Sequence, residues 1–180
     1  MAASEAHLWC DGSGVPDGPG GWGAVLICGE ARQELCGGLL QATNNQAELT
    51  AAIKGLEALT RPCHVVVHTD SRYVCDAFRQ DWIAGWKRKA WRGVKNRELW
   101  ARLIEAVEAH VTVRWEWHKG HAGVTDNEVC DKLAGNCRKA ILECIEFGLD
   151  PRELPFDIED AEYDDLVAGP ESTAFEPSRD

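Results

Sequence analysis

Four carboxylates stand where they could meet at one end of a sheet. Asp11 closes the apolar run EAHLWCD, and Asp70 closes the β-branched run HVVVHTD. Glu48 lies in the first turns of a helical pattern, and Asp131 lies in the first turns of the last such pattern. If the strands that end at Asp11 and Asp70 are parallel neighbours, these two carboxylates leave the sheet side by side.

Carboxylates held so close repel one another, and their pKa values rise unless a cation joins them. Oxygen ligands with open water positions suit Mg²⁺ or Mn²⁺. Two divalent ions about 4 Å apart can activate a water and stabilise the leaving oxygen of a phosphodiester. Divalent-metal hydrolysis of a phosphodiester is therefore the chemistry that these four acids could perform.

Each acid taken alone has a simpler interpretation. Asp11 could be a turn residue, and Asp70 could be the N-cap of the following helix. Glu48 and Asp131 could be solvated acids that the helix dipole favours near a helix start. A zinc site of His118, His121 and Cys130 is a further alternative, but its spacing lacks a second closely spaced ligand pair.

The elements that must position these acids alternate between strands and helices. Three apolar runs come first, within residues 5–40, and predict an antiparallel meander. Apolar residues at helical spacing follow within 42–62, then a buried-type strand at 63–70, further helices, a strand at 111–117 and a last helix from 125. The order β-β-β-α-β-α-(α)-α-β-α predicts an α/β domain with a five-stranded mixed sheet.

Charge is distributed unevenly along the chain, whose formal net charge is −11. Residues 143–180 hold thirteen acidic and two basic side chains, whereas residues 1–142 are neutral overall. Residues 79–97, which we call the basic protrusion, hold seven basic side chains, one acidic side chain and three tryptophans. The chain is thus a neutral body with a basic patch that suits nucleic-acid phosphates and an acidic end.

Several protein classes are disfavoured by composition. No window approaches the roughly 20 apolar residues of a membrane span, so no membrane partner is expected, and the N-terminus has neither the basic segment nor the apolar core of a secretory signal. The eight cysteines form no CxxC pair and lie mostly in apolar runs. We expect reduced thiols in an intracellular, cytoplasmic protein.

Four sequence blocks, in this order, carry a resemblance to a known family. They are DGSG (11–14), TNNQAEL (43–49), HTDSRYV (68–74) and WHKGHAGVTDNEVCDKLA (117–134). Together they strongly resemble ribonuclease H of type 1 in its bacterial form, over residues from about 5 to about 142. The resemblance implies a ribonuclease H-like fold, with three antiparallel strands and then two parallel ones, and a catalytic domain over 1–147.

The resemblance also implies an endoribonuclease that cuts the RNA strand of RNA–DNA hybrids. By this likeness Asp11, Glu48, Asp70 and Asp131 hold two Mg²⁺ ions, which Mn²⁺ can replace, and the products carry 5′-phosphate and 3′-hydroxyl ends. His121 in KGHAG matches a loop histidine that acts in proton transfer or product release, for which an ordinary pKa near 6.5 is suitable. A monomer is expected.

Substrate contacts follow from the same likeness. RNA minor-groove and 2′-hydroxyl contacts are implied for Gly12, Ser13, Asn44 and Asn45. A DNA-phosphate contact is implied for Thr43, and packing beside the DNA strand for Trp82. The remaining implied contacts are basic side chains of the protrusion and the residue at which this sequence departs from the usual glutamine: Lys87, Arg88, Lys89 and Arg72.

The acidic segment 148–180 has no counterpart in the resemblance. Its composition, with four prolines and many acids, predicts disorder. One hypothesis is that residues 150–168 fold back onto the basic protrusion and compete with phosphate. Another is that FDIEDAEYDDL docks on a protein partner.

Two rival functions remain open from the sequence. One is a non-catalytic module that binds RNA–DNA hybrids, although a pure binder gains nothing from clustered acids near phosphates. The other is a DNA-acting nuclease of the same superfold, such as an integrase or junction resolvase. The presence of all four acids argues against the first rival, and the TNN and KGHAG blocks favour hybrid cleavage over the second.

Overall fold

A single mixed sheet organises the chain in the computed structural model, which describes residues 5–120 and 123–160. Its strands lie in the order β5-β4-β1-β2-β3-β6. β1 and β2 pair antiparallel, as do β2 and β3, whereas β1–β4, β4–β5 and β3–β6 are parallel pairs. The strands are β1 Glu5–Ser13, β2 Gly20–Cys28, β3 Ala31–Leu39, β4 His64–Thr69, β5 Thr112–Trp117 and β6 Asp157–Glu159.

Five helices are described, together with a short 3₁₀ helix at Pro151–Glu153. Their bounds are α1 Asn44–Glu57, α2 Arg72–Arg79, α3 Trp82–Arg88, α4 Arg97–Glu108 and α5 Thr125–Glu146. The predicted α/β class and the predicted order of elements up to α5 are therefore confirmed.

Helices α1 and α5 cover opposite faces of the sheet. Leu8 of β1 packs against Gly55 of α1, whereas Gly23, the partner of Asp11 in β2, packs against α5. Leu8 and Asp11 lie an odd number of residues apart, and side chains alternate faces along a strand. Close packing against α5 depends on glycine, because a Cβ at Gly23 would lie 2.4 Å from the carbonyl oxygen of Cys130.

The sheet has six strands, so the prediction of five was wrong, and so was the prediction that disorder begins at residue 148. Residues 157–159 form β6 on the outer edge of β3, and the Leu40 N–H donates to the Glu159 carbonyl at 3.2 Å. Lys54 of α1 contacts the carboxylates of Asp157 and Glu159 at 2.7 and 2.6 Å. Arg102 of α4 bonds Glu159 at 3.1 Å.

These contacts also bear on the hypothesis that the acidic segment folds back. The partners of Asp157 and Glu159 lie in α1 and α4 and not in the basic protrusion, so the hypothesis is wrong for β6. The rest of the segment, residues 161–180, lies outside the described residues.

The states of the cysteines and the lengths of the helices can be compared with the predictions of reduced thiols and of no membrane span. All eight cysteines are free thiols, and five of them are buried. Among the described residues, no helix has both the length and the apolar character to cross a membrane.

Candidate active site

Two parallel strands bring Asp11 and Asp70 to the same edge of the sheet. β1 and β4 pair in a register that sets Trp9 opposite His68, and each aspartate follows two residues later. One oxygen each of Asp11, Glu48 and Asp70 lie within 4.8 Å of one another. The condition on which the sequence prediction depended, a parallel β1–β4 pair, is therefore met.

Glu48 reaches this edge because the start of α1 is fixed against β1. Thr43 is the N-cap, and its side chain and that of Gln46 form a reciprocal capping box. The Gly12 N–H donates to Glu48 Oε2 at 3.2 Å, and Asn44 Nδ2 lies 3.5 Å from Oε1. The interpretation of Glu48 as a solvated acid is wrong, since the residue is 6% exposed.

Asp70 directly follows β4, and its backbone is held by a contact from β5. The Trp117 indole N–H donates to the Asp70 carbonyl at 2.8 Å. The N-cap of α2 is Ser71, whose Oγ accepts a bond from the Val74 N–H at 3.4 Å, so the simpler interpretation of Asp70 as the cap is wrong. Sequence reasoning missed Trp117, although its place at the end of the strand beside β4 was a usable signal.

Asp131 comes to the site on α5. The contact of α5 with the glycines of β2 carries its first turns over the sheet, and the charge of Asp131 acts on the pKa of Asp11. Asp131 is half-buried and does not share the 4.8 Å spacing of the other three carboxylates. The structure thus gathers three of the predicted acids tightly and sets the fourth beside them.

Burial and mutual repulsion act on these carboxyls. Burial raises the pKa of Asp11 to about 7, with further increases from Asp70 and Asp131. Burial also raises the pKa of Glu48 well above its ordinary value, and Asp11 and Asp70 add to that shift. Such a cluster favours either protons or a cation, and its all-oxygen donor set fits a hard divalent ion such as Mg²⁺.

Small polar groups surround the carboxylates on one side. Gly12 and Ser13 end β1, and Asn44 and Asn45 open α1. The Gly14 N–H donates to Asn44 Oδ1 at 3.3 Å, which joins the two segments. Four of the residues predicted to contact RNA therefore lie on two adjoining chain segments next to Glu48.

Arg72, the first residue of α2, packs on Trp117 beside Asp70. Its guanidinium carbon stands 4.1 Å from the centre of the Trp117 ring, a cation–π contact. Trp117 in turn bonds the Asp70 carbonyl. This arginine is thus held at the end of β4 by the same side chain that supports Asp70.

The basic protrusion contains α3 and the turn that follows it. Lys87, Arg88 and Lys89 are exposed there. Trp82 and Trp86 are partly buried against the core, and Trp86 meets Trp100 edge-on with ring centres 5.0 Å apart. Partly buried tryptophans thus anchor an exposed cationic surface.

The predicted loop histidine, His121, and the alternative zinc site that includes Cys130 remain to be placed. His121 lies outside the described residues. Cys130 is completely buried, and burial raises the pKa of its thiol far above the ordinary value. Because zinc binds the thiolate, Cys130 is a poor ligand, and the alternative zinc site is not supported.

The fold and the carboxylate cluster together define the class of metal-dependent nucleases. The RNase H family model matches residues 3–139, which is most of the chain. The chain therefore belongs to the ribonuclease H family, and the enzyme class expected from the four sequence blocks is confirmed.

Individual relatives agree with this assignment. A ribonuclease H of Rhizobium meliloti (strain 1021) is 52% identical over 137 residues, covering 72% of this chain and 88% of that protein. The crystal structure of LC9-RNase H1, a type 1 RNase H with the type 2 active-site motif, superimposes with a TM-score of 0.70 at 26% identity, over 77% of this chain and 74% of that one. LC11-RNase H1 in complex with RNA/DNA hybrid has a TM-score of 0.59 over 76% of this chain and 99% of that one; its 19% identity makes this a likeness of fold alone.

Proposed function

We propose that this chain hydrolyses the RNA strand of RNA–DNA hybrids by two-metal-ion catalysis and leaves 5′-phosphate and 3′-hydroxyl ends. The observation that carries the proposal is the meeting of Asp11, Glu48 and Asp70 within 4.8 Å at the end of the parallel strands. Membership of the ribonuclease H family supports the substrate class.

The metal ligands in this proposal are Asp11, Glu48, Asp70 and Asp131. When bound, two Mg²⁺ ions, or Mn²⁺ in their place, would activate the attacking water and stabilise the departing 3′-oxygen. The chain's own contribution is rigidity and charge. The Gly12 N–H donates to the Glu48 carboxylate, and the Trp117 indole donates to the Asp70 backbone carbonyl. The first carboxylate and the backbone that carries the second are thus held in place without a substrate.

We assign His121 the role of moving a proton at the leaving group or of helping product to leave. The assignment depends on the KGHAG motif, and an imidazole of ordinary pKa can donate or accept near neutral pH. His121→Ala is accordingly proposed to slow turnover more than it weakens hybrid binding. A kcat that does not change across pH 6–9 in the wild type would rule out proton transfer.

Recognition of the hybrid is assigned to three groups of residues. Gly12, Ser13, Asn44 and Asn45 would read the RNA minor groove and its 2′-hydroxyls, where small groups let the strand approach. The Thr43 Oγ already accepts a bond from the Gln46 N–H at 3.3 Å, so its hydroxyl hydrogen is free to donate to a DNA phosphate.

The third group belongs to the basic protrusion and the end of β4. Lys87, Arg88 and Lys89 would bind DNA phosphates and release counterions. We place Trp82 beside a deoxyribose, where a ribose hydroxyl would crowd the ring. The Arg72 guanidinium, stacked on Trp117, would reach a base edge or a phosphate of the RNA strand.

The proposal also covers the cellular location and the oligomeric state of the enzyme. Eight free thiols suit the reducing cytoplasm, where we place its action. We propose a monomer in solution, which light scattering during gel filtration would test.

Analysis of the product ends tests the proposed chemistry directly. A hybrid with labelled RNA is incubated with wild type and with Asp11→Asn, in Mg²⁺ and in Mn²⁺. We expect wild type to give fragments that a 5′-phosphate-dependent exonuclease degrades, and Asp11→Asn to give none. Fragments that end in 2′,3′-cyclic phosphate would contradict attack by water.

A further inference from the structure

A second group of potential metal ligands lies on the sheet beside the carboxylate site. It consists of His68 at the end of β4, Glu116 near the end of β5 and His118 just beyond β5. His68 Nδ1 is 2.8 Å from His118 Nε2 and 3.4 Å from Glu116 Oε2. His118 Nε2 is 3.9 Å from the same Glu116 oxygen.

These three separations lie within about 0.6 Å of those in a tetrahedral metal coordination shell. Zn–N and Zn–O bonds of about 2.0–2.2 Å at tetrahedral angles place ligand atoms about 3.3–3.5 Å apart. The three measured distances bracket that value. We propose that His68, Glu116 and His118 bind a transition-metal ion, best Zn²⁺, with the fourth position open to water.

The exposure of the three ligands fits an open site. Their side chains are 7%, 50% and 29% exposed for His68, Glu116 and His118 respectively. One ligand is thus held in the protein and the other two face the solvent, from which an ion can enter. Two imidazoles and one carboxylate with an open position form a donor set that favours Zn²⁺ and other first-row ions over Mg²⁺.

An outer shell already orients the buried ligand. His7 Nδ1 lies 2.9 Å from His68 Nε2, and His7 Nε2 lies 3.4 Å from Glu5 Oε1. Metal-bound histidines usually donate their second ring N–H to such a partner, which fixes the tautomer that leaves the other nitrogen free for the ion. Trp9 stacks on the His68 ring with centres 4.0 Å apart and limits its rotation.

The backbone explains why these side chains meet. The parallel register of β4 and β5 sets His68 directly opposite Glu116, and His118 is two residues further along on the same side.

The position of the site suggests what an ion there would do. His68 precedes Asp70 by two residues, and Gly120, two residues after His118, lies so close to Asp70 that a Cβ there would collide with Asp70 Oδ2. A bound ion would tie the end of β4 to residues 118–120, of which Gly120 lies against Asp70. The inference does not depend on the proposed hybrid cleavage.

The test measures binding of Zn²⁺ and Co²⁺ to the metal-free full chain in excess Mg²⁺, which occupies the carboxylate site. Calorimetry gives the affinity for Zn²⁺, and the visible spectrum of Co²⁺ reports the ligand geometry. The variants are His118→Gln, Glu116→Gln and His7→Phe. The matched control is His64→Gln, which changes a half-buried histidine at the start of the same strand that bonds Thr112 Oγ1 at 2.8 Å.

We expect wild type and His64→Gln to bind one equivalent of Zn²⁺ and to give tetrahedral Co²⁺ bands without thiolate charge-transfer absorption. His118→Gln and Glu116→Gln should lose at least about tenfold in affinity, and His7→Phe, which alters only the outer shell, about 10–100-fold. Because the Glu116 side chain is half-exposed, we expect Glu116→Gln to fold normally, and circular dichroism checks this. Absence of binding in wild type, unchanged affinity in the Glu116 variant, or a thiolate band would each overturn the proposal.

Discussion

The carboxyl groups of Asp11 and Glu48 are buried, so little water can solvate their ionised forms. Both are 6% exposed, and their strongest charged neighbours are other acids. Without a metal ion, this arrangement stabilises the protonated forms and opposes ionisation. The site therefore reduces the stability of the metal-free protein in return for a preformed set of ligands.

This cost predicts a pH dependence for the metal-free protein. The pKa of Asp11 rises from 3.8 to about 7 on folding, so the folded state binds its proton more tightly. The free energy of unfolding should then fall as pH rises from about 4 to about 7 and level off above that range, by an amount on the order of a few kcal/mol. Urea unfolding in chelator across pH 4–8 measures it.

The contribution of Asp11 is isolated by two variants. Asp11→Asn should reduce the loss of stability between pH 4 and 7, whereas Asp17→Asn, at an exposed turn, should not. Parallel stability curves for wild type and Asp11→Asn would contradict the burial of an ionisable carboxylate at this position.

Asp70→Asn tests the role of one ligand without changing its size. We expect cleavage of hybrid to fall by at least about 10³-fold, because the amide removes the negative charge that holds a metal ion. Hybrid affinity should stay within about threefold of wild type. Single-turnover cleavage and anisotropy binding give the two numbers, and near wild-type cleavage in Mg²⁺ would show that Asp70 is not a ligand.

The sequence predicts the acids of the carboxylate site but not all of the side chains that hold the residues around them in place. Asp11, Glu48 and Asp70 could be predicted because their motifs fix both residue type and place. The partners of His68 could not, since their contacts depend on the registers of β4 with β1 and with β5, which no local pattern encodes. His7 and His68 are 61 residues apart in the chain yet 2.9 Å apart in space.

Among the described strands, β6 is the one that the sequence analysis did not predict. Its three residues lie between prolines and acids, a composition typical of disorder. What stabilises it is remote in sequence: Lys54 of α1 and Arg102 of α4 hold its carboxylates. By contrast, β1 to β5 and the helices were predictable because their apolar periodicity reflects local burial.

Glu159→Gln tests this edge strand. The Glu159 carboxylate receives both Lys54 and Arg102, so its loss should lower the free energy of unfolding by about 1 kcal/mol. Glu153→Gln, in the exposed 3₁₀ helix, is the control and should be close to neutral. Thermal unfolding measures both, and equal stabilities would mean that the ion pairs do not stabilise β6.

Across the whole molecule, charge is segregated. Acids concentrate at the carboxylate site and toward the C-terminus, whereas cations concentrate on the basic protrusion. In the described residues Asp157 and Glu159 of the acidic segment pair with α1 and α4, and Lys87, Arg88 and Lys89 are exposed. A phosphate backbone can therefore reach them despite the negative net charge.

Salt dependence tests that division. The triple variant Lys87→Gln, Arg88→Gln, Lys89→Gln should reduce the slope of log affinity against log salt by about 2–3, since each phosphate contact contributes about 0.7–0.9. Lys139→Gln, which removes an exposed cation of α5 paired with Glu143, should leave the slope unchanged. Hybrid binding by anisotropy between low and moderate salt supplies the data, and equal slopes would contradict phosphate binding by the protrusion.

We propose that one carboxylate site cuts RNA only when it is paired with DNA, and only with a divalent ion. Incubation of wild type with labelled RNA–DNA hybrid, DNA duplex and RNA duplex, in Mg²⁺ and then in chelator, tests this most directly. We expect cleavage of the RNA strand of the hybrid in Mg²⁺ and of nothing else in either condition. Cleavage of the DNA duplex, or hybrid cleavage that persists in chelator, would contradict it.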